Sequence, residues 1–257
     1  FGGSPFFDRL AAGEVLYQPF HWDNPLSPAH PTDADRAIAR DIFTAAAAHG
    51  WPLEIHAIQP ETIAGVLDVA EEVNRTTPIA GLRWSIAHAD NIGTDEIARA
   101  KALGMTLKLR SVAVVGGLEA VFRRFGERAF HMPPFRSVAT SGIPYGLGSD
   151  GTKGNQINPF VTLSWAVSGR MLNGETVLNE TLGREEALAA HSRNNAYLLF
   201  REKELGHIAP GYRADLVVLD RDYFTVPEEE IRDIRSLATI VDGRLMYGAI
   251  GDWRAES

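Results

Sequence analysis

Residues 53–90 read LEIHAIQPETIAGVLDVAEEVNRTTPIAGLRWSIAHAD, and this stretch decides the fold. The segment WPLEIHAI, which begins at Trp51, predicts a short apolar strand, and PETIAGVLDVAEEVNRT predicts a helix with a proline in its first turn. GLRWSIAHAD predicts the next strand. A strand, a helix and a second strand joined by short links indicate a parallel sheet covered by helices.

The same alternation extends in both directions from this stretch. TDADRAIARDIFTAAAAHG, from Thr32, predicts a helix that Gly50 ends. Downstream, helices are predicted for TDEIARAKALG, LEAVFRRFGERA and PFRSVATSG, and strands for MTLKLRSVAVV and IPYGLGSD. These strands show little alternation of polar and apolar residues, as expected for a sheet buried on both faces. The fold class is therefore α/β.

The pattern changes after Asp150. Helices are predicted at about Pro159–Arg170 and Arg184–Glu202, followed by three strands, ADLVVLD, SLATIVDG and LMYGAI. The strands are rich in β-branched residues and separated by turns. This C-terminal part therefore predicts a small antiparallel sheet, with a domain boundary near residue 205.

Composition excludes several classes of function. The 257 residues are 45% hydrophobic and carry a net charge of −8 with no Lys/Arg cluster, so neither a nucleic acid nor an anionic membrane is an expected partner. No apolar run approaches the roughly 18 residues that a membrane span needs. The absence of Cys excludes disulfides and thiolate metal sites and agrees with a cytoplasmic location.

Three polar residues lie at or near the carboxyl ends of predicted strands: His56, His88 and Asp150. In an α/β barrel the loops at that end converge on the active site. A single histidine there is more often a hydrogen-bonded core residue, but three ligand-type side chains in parallel positions favour a shared site. Two imidazoles and a carboxylate suit zinc or another divalent metal. No HExxH-type motif supports this locally.

The segments EIHAI, SIAHAD, GLGSDG and HSRNNAYLLFREKELGHIAPGYRADLVVLDRD together resemble the amidohydrolase superfamily of metal-dependent hydrolases. Within it, the sequence is most similar to the subgroup that includes N-substituted formamide deformylase. This resemblance implies that residues 1–204 form the C-terminal portion, about strands 5–8, of a TIM-type (β/α) barrel. Residues 205–257 would then be a small β-sandwich-like appendage.

The resemblance also assigns roles. His56, His88 and Asp150 would be metal-site residues, and Asp150 would be catalytic as well: it would take a proton from the attacking water and pass it to the leaving amine. The implied reaction is hydrolysis of a non-peptide C–N bond, amide or formamide-like, in a small-molecule substrate. The implied cofactor is one or two divalent ions, zinc first, with iron or manganese as alternatives. A homodimer is expected on the same basis.

Two features depart from the family pattern. The family's first-strand His-x-His is absent, and the fourth-strand lysine or acid that often bridges two metals has no assignable counterpart. The chain is therefore expected to be the C-terminal part of a longer enzyme, completed by an N-terminal segment. The alternative is a catalytically incomplete or non-catalytic amidohydrolase-like chain.

Residues near the same rim are candidates for substrate contacts. Lys153 and Asn155 follow the Asp150 strand, and His131 lies in the loop AFHMPP. A polar loop of this kind is as often merely solvated. Gly146 and Gly148 lie on the same side of their strand as Asp150, and their lack of side chains predicts room for metal and substrate.

Overall fold

In this computed structural model, the described residues are 3–4, 7–110, 118–151 and 156–254. The helices are α1 (Gln18–His21), α2 (Asp33–Ala48), α3 (Pro60–Asn74), α4 (Thr94–Ala102), α5 (Leu118–Phe125), α6 (Phe135–Ser141), α7 (Pro159–Ser168), α8 (Arg184–His191) and α9 (Arg193–Leu198). The strands are β1 (Glu54–Ala57), β2 (Ser85–His88), β3 (Thr106–Arg110), β4 (Tyr145–Gly148), β5 (Leu216–Leu219), β6 (Ser236–Val241), β7 (Arg244–Ile250) and β8 (Trp253–Arg254). Two 3-10 helices, Gly126–His131 and Glu228–Asp233, complete the regular elements of the described residues.

The first four strands form a parallel sheet in the order β1-β2-β3-β4. Ile55, Ile86 and Leu107 on three of these strands are completely buried. Because consecutive strands pair side by side and in parallel, their carboxyl ends lie along one edge of the sheet. The predicted α/β fold with a parallel sheet is confirmed. Within the described residues β4 does not pair with β1, so these four strands do not close into a barrel.

A short segment before α1 extends the sheet beyond β1. The backbone N–H of Glu54 donates to Ala12 O at 2.9 Å, and the N–H of His56 donates to Glu14 O at 3.2 Å. Ala12 forms a parallel bridge with Leu53. Residues 12–14 therefore lie alongside β1 like a further parallel strand, which the sequence did not predict.

Helices α2 and α3 pack on one another, and α3 packs on β1. The Phe43 and Trp84 rings meet edge to face with centroids 5.3 Å apart, and the Trp84 indole N–H donates to Trp51 O at 2.9 Å. Both rings are almost completely buried, and burial of a large apolar side chain contributes roughly 1.5–3 kcal/mol. Helix α2 begins with a capping box in which Thr32 and Asp35 bond each other's backbone N–H.

Two predicted elements differ from the structure. The single helix predicted over 184–202 is two helices, because the backbone at Ser192 leaves the helical region with φ −127° and ψ −91°. The Ser192 hydroxyl donates to Leu188 O at 2.6 Å, a local bond of the kind that competes with helix continuation. Of the strand predicted over 105–115, Thr106–Arg110 is a strand, and residues 111–115 lie outside the described part of the chain.

The C-terminal strands β5, β6, β7 and β8 form a second, antiparallel sheet. Its own small core consists of Ala238, Ile240 and Leu245, with Leu216 packed against them. The predicted antiparallel arrangement of these strands is confirmed. The domain division between residues 204 and 205 and the sandwich character of this part remain predictions.

The two glycines of β4 have different surroundings. A Cβ at Gly146 would overlap the Asn195 side chain and lie 2.6 Å from Leu198 Cδ1, whereas a Cβ at Gly148 meets nothing within 4 Å. The Asn195 amide donates to Leu147 O at 3.0 Å, so α9 uses the space at Gly146 to bond the strand. Only Gly148 leaves the predicted open space.

This contrast predicts different stability effects for two matched substitutions. Gly146→Ala should lower the free energy of unfolding by about 1–3 kcal/mol through overpacking, because Asn195 would have to leave its bond to Leu147. Gly148→Ala should change it by less than about 0.5 kcal/mol. Urea unfolding of the two variants beside the wild type measures both values. Equal stability of the two variants would contradict the packing of α9 on β4.

Candidate metal centre

The two predicted histidines meet at the carboxyl edge of the parallel sheet. His56 lies on β1 and His88 ends β2, and the register pairs Ala57 with His88. Their imidazole centroids are 4.5 Å apart with the ring planes at 73°, and both side chains are buried. The pairing of the strands therefore brings together two residues that are distant in sequence.

A carboxylate from the segment beside β1 completes a three-residue cluster. Glu14 Oε1 lies 2.8 Å from His56 Nδ1 and 3.0 Å from His88 Nε2. One ligand atom from each of Glu14, His56 and His88 lies within 4.8 Å of the others. Imidazole nitrogens and a carboxylate oxygen are the donors that zinc and similar divalent ions prefer, so these residues fit such an ion.

The charges in this cluster support one another. Hydrogen bonds from His56 and then from His88 lower the pKa of Glu14 well below its ordinary value, although burial opposes this. Burial alone would lower the pKa of His56, but hydrogen bonds to Asp23 and Glu14 outweigh it and raise the pKa to about 9. The surroundings of the His56 imidazole therefore favour a positive charge on it.

His56 is also fixed on its other sides. Its Nε2 lies 3.0 Å from the backbone oxygen and 3.1 Å from Oδ1 of Asp23. The Trp22 indole stacks on its ring at 4.5 Å, and His21 Nδ1 lies 3.0 Å from its backbone oxygen. Residues 21–23, which end and follow α1, thus enclose the imidazole.

Asp150 lies on the other side of His88 from Glu14. Its Oδ2 is 3.9 Å from His88 Nδ1, whereas Glu14 faces Nε2 of the same ring. Both His88 and Asp150 have positive φ, at 76° and 54°. This conformation is uncommon for residues other than glycine and often occurs at functional sites. The structure brings Asp150 next to the cluster, and its roles as ligand and catalyst remain proposals.

Arg110, at the end of β3, links the acids that follow β2 and β4. Its guanidinium donates to Asp90 through Nη2 at 2.6 Å and Nε at 3.1 Å, and to Asp150 Oδ2 through Nη1 at 2.7 Å. The arginine side chain is 10% exposed and that of Asp90 13%. Burial opposes the charge of Arg110, but the charge of Asp90 and the bonds to both acids raise its pKa. Arg110 therefore fixes the Asp150 carboxylate in place.

A cavity of about 360 Å³ opens beside this cluster. Glu14, His88, Arg110 and Asp150 line it at the carboxyl edge of the sheet. The ion pair of Glu54 and Lys108 also lines it, together with apolar and glycine positions of β4 and α9. Its size is within the range of sites that hold small molecules.

Of the three candidates for substrate contacts, the structure describes only His131. His131 ends a 3-10 helix, with Nδ1 3.2 Å from Glu180 Oε1, and is not among the described residues that line the cavity. Its substrate role stays a prediction. Lys153 and Asn155 lie outside the described residues.

Comparison with known proteins identifies the family. A model described as "Amidohydrolase family" matches residues 6–247, almost the whole chain. The chain belongs to the amidohydrolase family. It is 31% identical over 219 residues to the N-substituted formamide deformylase of Arthrobacter pascens, a match that covers 84% of this chain and 40% of that protein. It is 26% identical to a putative amidohydrolase, YtcJ, of Bacillus subtilis, covering 96% of this chain and 47% of that protein.

Two solved structures of other proteins superimpose on most of this chain. An uncharacterised metal-dependent hydrolase from Pyrococcus furiosus superimposes with a TM-score of 0.63 at 25% identity, covering 79% of this chain and 40% of that one. The ochratoxinase of A. niger superimposes with a TM-score of 0.60 at 14% identity, covering 93% and 50%. The chain spans less than half the length of the curated relatives described above.

The structure brings His56 and His88 together, as the sequence predicted, and places beside them Glu14, which the sequence did not single out. The resemblance predicted that an acid or a lysine could stand on the strand before that of His56, yet no counterpart was assigned. The available signal was the acid inside the apolar run LAAGEVL, which precedes the His56 strand. The segment that lies along β1 is residues 12–14, and three residues are too few to show the alternation of polar and apolar side chains that predicts a strand.

The described helices include none that is long and apolar enough to cross a lipid bilayer. This agrees with the lack of a long apolar run in the sequence.

The buried Arg110 should matter more for stability than Arg99, a partly exposed arginine that also bonds two acids. Arg110→Met should lower the free energy of unfolding by about 3 kcal/mol, because it leaves the almost buried Asp90 without a counter-charge. Arg99→Met is the matched control, since Arg99 bonds Glu71 and Asp68 on the surface and should cost less than about 1 kcal/mol. Guanidinium unfolding measures the difference, and similar losses in both variants would contradict the structural role of Arg110.

Proposed function

We propose that this chain carries the metal-binding part of a hydrolase that cleaves a non-peptide C–N bond, of the amide or formamide type, in a small molecule. The observation that carries the proposal is the convergence of Glu14, His56 and His88, each of which offers one ligand atom within 4.8 Å of the others. Family membership and the similarity to a formamide deformylase support the reaction class. The resemblance and the donor set favour zinc, with iron and manganese as alternatives.

Each residue of the cluster has a defined task in this reaction. Glu14, His56 and His88 would hold the ion, which when bound polarises a carbonyl and lowers the pKa of water to about 7. Strands β1 and β2 fix the two imidazoles, and the backbone bonds of residues 12–14 fix the acid. The two imidazoles thus rest on regular strands, which position ligands more accurately than a loop does.

Asp150 would move the proton. It would accept a proton from the attacking water as the new C–O bond forms and donate it to the nitrogen as the C–N bond breaks, leaving a carboxylic acid and an amine. Its distance of 3.9 Å from His88 Nδ1 places it next to the cluster. Arg110 holds one carboxylate oxygen at 2.7 Å, which limits the rotation of this group.

The cavity supports a small substrate. About 360 Å³ is room for a small amide with one substituent. Lys153, Asn155 and His131 remain candidates for contacts with it. The missing His-x-His and the partial match to longer relatives lead us to propose that further ligands come from a segment N-terminal to these residues in the complete enzyme.

Removal of the carboxylate ligand should weaken metal binding. In the complete protein, Glu14→Gln should retain clearly less zinc than the wild type after dialysis against a weak chelator, because an amide is a poorer ligand than a carboxylate. Glu61→Gln, in the exposed first turn of α3, is the control and should retain wild-type zinc. Elemental analysis by mass spectrometry measures both. A wild-type protein without metal, or unchanged zinc in Glu14→Gln, would refute the proposed metal site.

Removal of the proton carrier should abolish turnover and preserve the fold. Asp150→Asn should lower kcat by about 10²–10⁴-fold, the usual contribution of a general acid–base group, with circular dichroism unchanged. Release of formate from a panel of N-alkyl and N-aryl formamides is the measurement, and release of amine from simple amides extends it. Asp95→Asn in the first turn of α4 is the control. A rate within a few-fold of the wild type would remove the role of Asp150 while leaving the metal site intact.

A further inference from the structure

One buried acid next to the cluster has no part in the reaction described above. The Asp23 side chain is completely buried, and its Oδ1 lies 3.1 Å from His56 Nε2. Its Oδ2 accepts the backbone N–H of Ile58 at 3.0 Å and that of Gln59 at 2.8 Å. The nitrogen of His56 that faces Glu14 is Nδ1, on the other side of the ring.

This position matters because of the chemistry of imidazole. A neutral histidine carries one proton, and it can bind a cation only through the nitrogen that lacks it. At Nε2, the His56 ring faces two acceptors, Asp23 Oδ1 and the Asp23 backbone oxygen. A proton on Nε2 therefore has partners, and the lone pair of Nδ1 is left to face Glu14 and His88.

We propose that Asp23 is a positioning residue that selects the Nε2–H tautomer of His56 and fixes its ring, so that Nδ1 binds the divalent cation. The inference rests on the proposed metal site. A carboxylate that accepts a proton from the far nitrogen also makes the near nitrogen a stronger ligand. Asp23 therefore affects both the direction and the strength of this bond.

The surroundings of Asp23 suit this task. The N–H groups of Ile58 and Gln59 come from the residues that follow β1, the strand that carries His56. The carboxylate is thus tied to the same strand end as the ring that it orients. With no solvent contact, its bond to the imidazole is charge-assisted in a low-dielectric region, where such bonds are stronger. The stacked Trp22 indole further restricts tilting of the ring.

The competing explanation is that Asp23 only anchors the turn after β1 through Ile58 and Gln59. The two roles predict different results. If Asp23 only anchors the turn, its removal would lower the stability of the fold and leave the metal affinity and the His56 tautomer of the folded protein unchanged. If Asp23 positions His56, its removal changes the metal affinity and the His56 tautomer.

The test is cobalt binding by the complete protein. Asp23→Asn keeps the size of the side chain and removes its charge, and an amide nitrogen turned toward Nε2 would oppose its proton. The dissociation constant for Co²⁺, measured by competition with a chromophoric chelator, should rise about 10–100-fold. The control is Asp35→Asn, since Asp35 likewise accepts a backbone N–H, that of Thr32 at the start of α2, and is not among the candidate ligands. It should bind Co²⁺ as the wild type does.

A second measurement needs no variant and covers the case in which Asp23→Asn fails to fold. In the Zn²⁺-loaded wild type, ¹⁵N chemical shifts should place the proton of His56 on Nε2, and that proton should exchange slowly with water. A proton on Nδ1 would overturn the proposal. Equal Co²⁺ affinity in wild type and Asp23→Asn would overturn the role of Asp23 alone. A wild type that binds neither ion would overturn the metal site and this inference with it.

Discussion

The carboxylate of Glu14 between two imidazoles is the contact on which the rest of the site depends. Its single oxygen Oε1 lies within 3.0 Å of nitrogens on His56 and His88, which are both buried. Two imidazoles this close would repel one another whenever both were charged. The acid offsets that repulsion, and it reaches this place because the backbone of residues 12–14 pairs with β1. The backbone pairing that places Glu14 beside β1 is thus also what supplies the negative charge between the two imidazoles.

Much of this arrangement follows from local sequence rules. Strands that are buried on both faces and separated by helices predict a parallel sheet, and histidines at the ends of adjacent strands must then be neighbours. His56 and His88 could be predicted on that basis, and the register of β1 and β2 agrees. Glu14 could not, because three residues in an irregular segment show neither period nor turn signal. The backbone hydrogen bonds that make them strand-like come from another part of the chain.

The surroundings of Asp150 show a second limit. Sequence placed this acid at a strand end, but it gave no indication that Arg110 would hold it and Asp90 together. Partners of charged side chains depend on which strands are adjacent and on rotamers, and neither has a local signature. Gly146 shows the same limit. The sequence predicted open space there because glycine has no side chain, but the Asn195 side chain fills that space and donates to Leu147 O.

Charge connects these separate elements. Four carboxylates, those of Glu14, Asp23, Asp90 and Asp150, lie around two imidazoles and the guanidinium of Arg110. Arg110 carries one positive charge against the two acids that it bonds, so that group keeps one net negative charge. The two acids that face His56, Glu14 and Asp23, carry two between them, and hydrogen bonds to them raise the pKa of His56 to about 9. A proton and a metal ion compete for the same lone pair of an imidazole. The surroundings that favour a proton on His56 would for the same reason favour a divalent cation, whose larger charge interacts more strongly with the same acids.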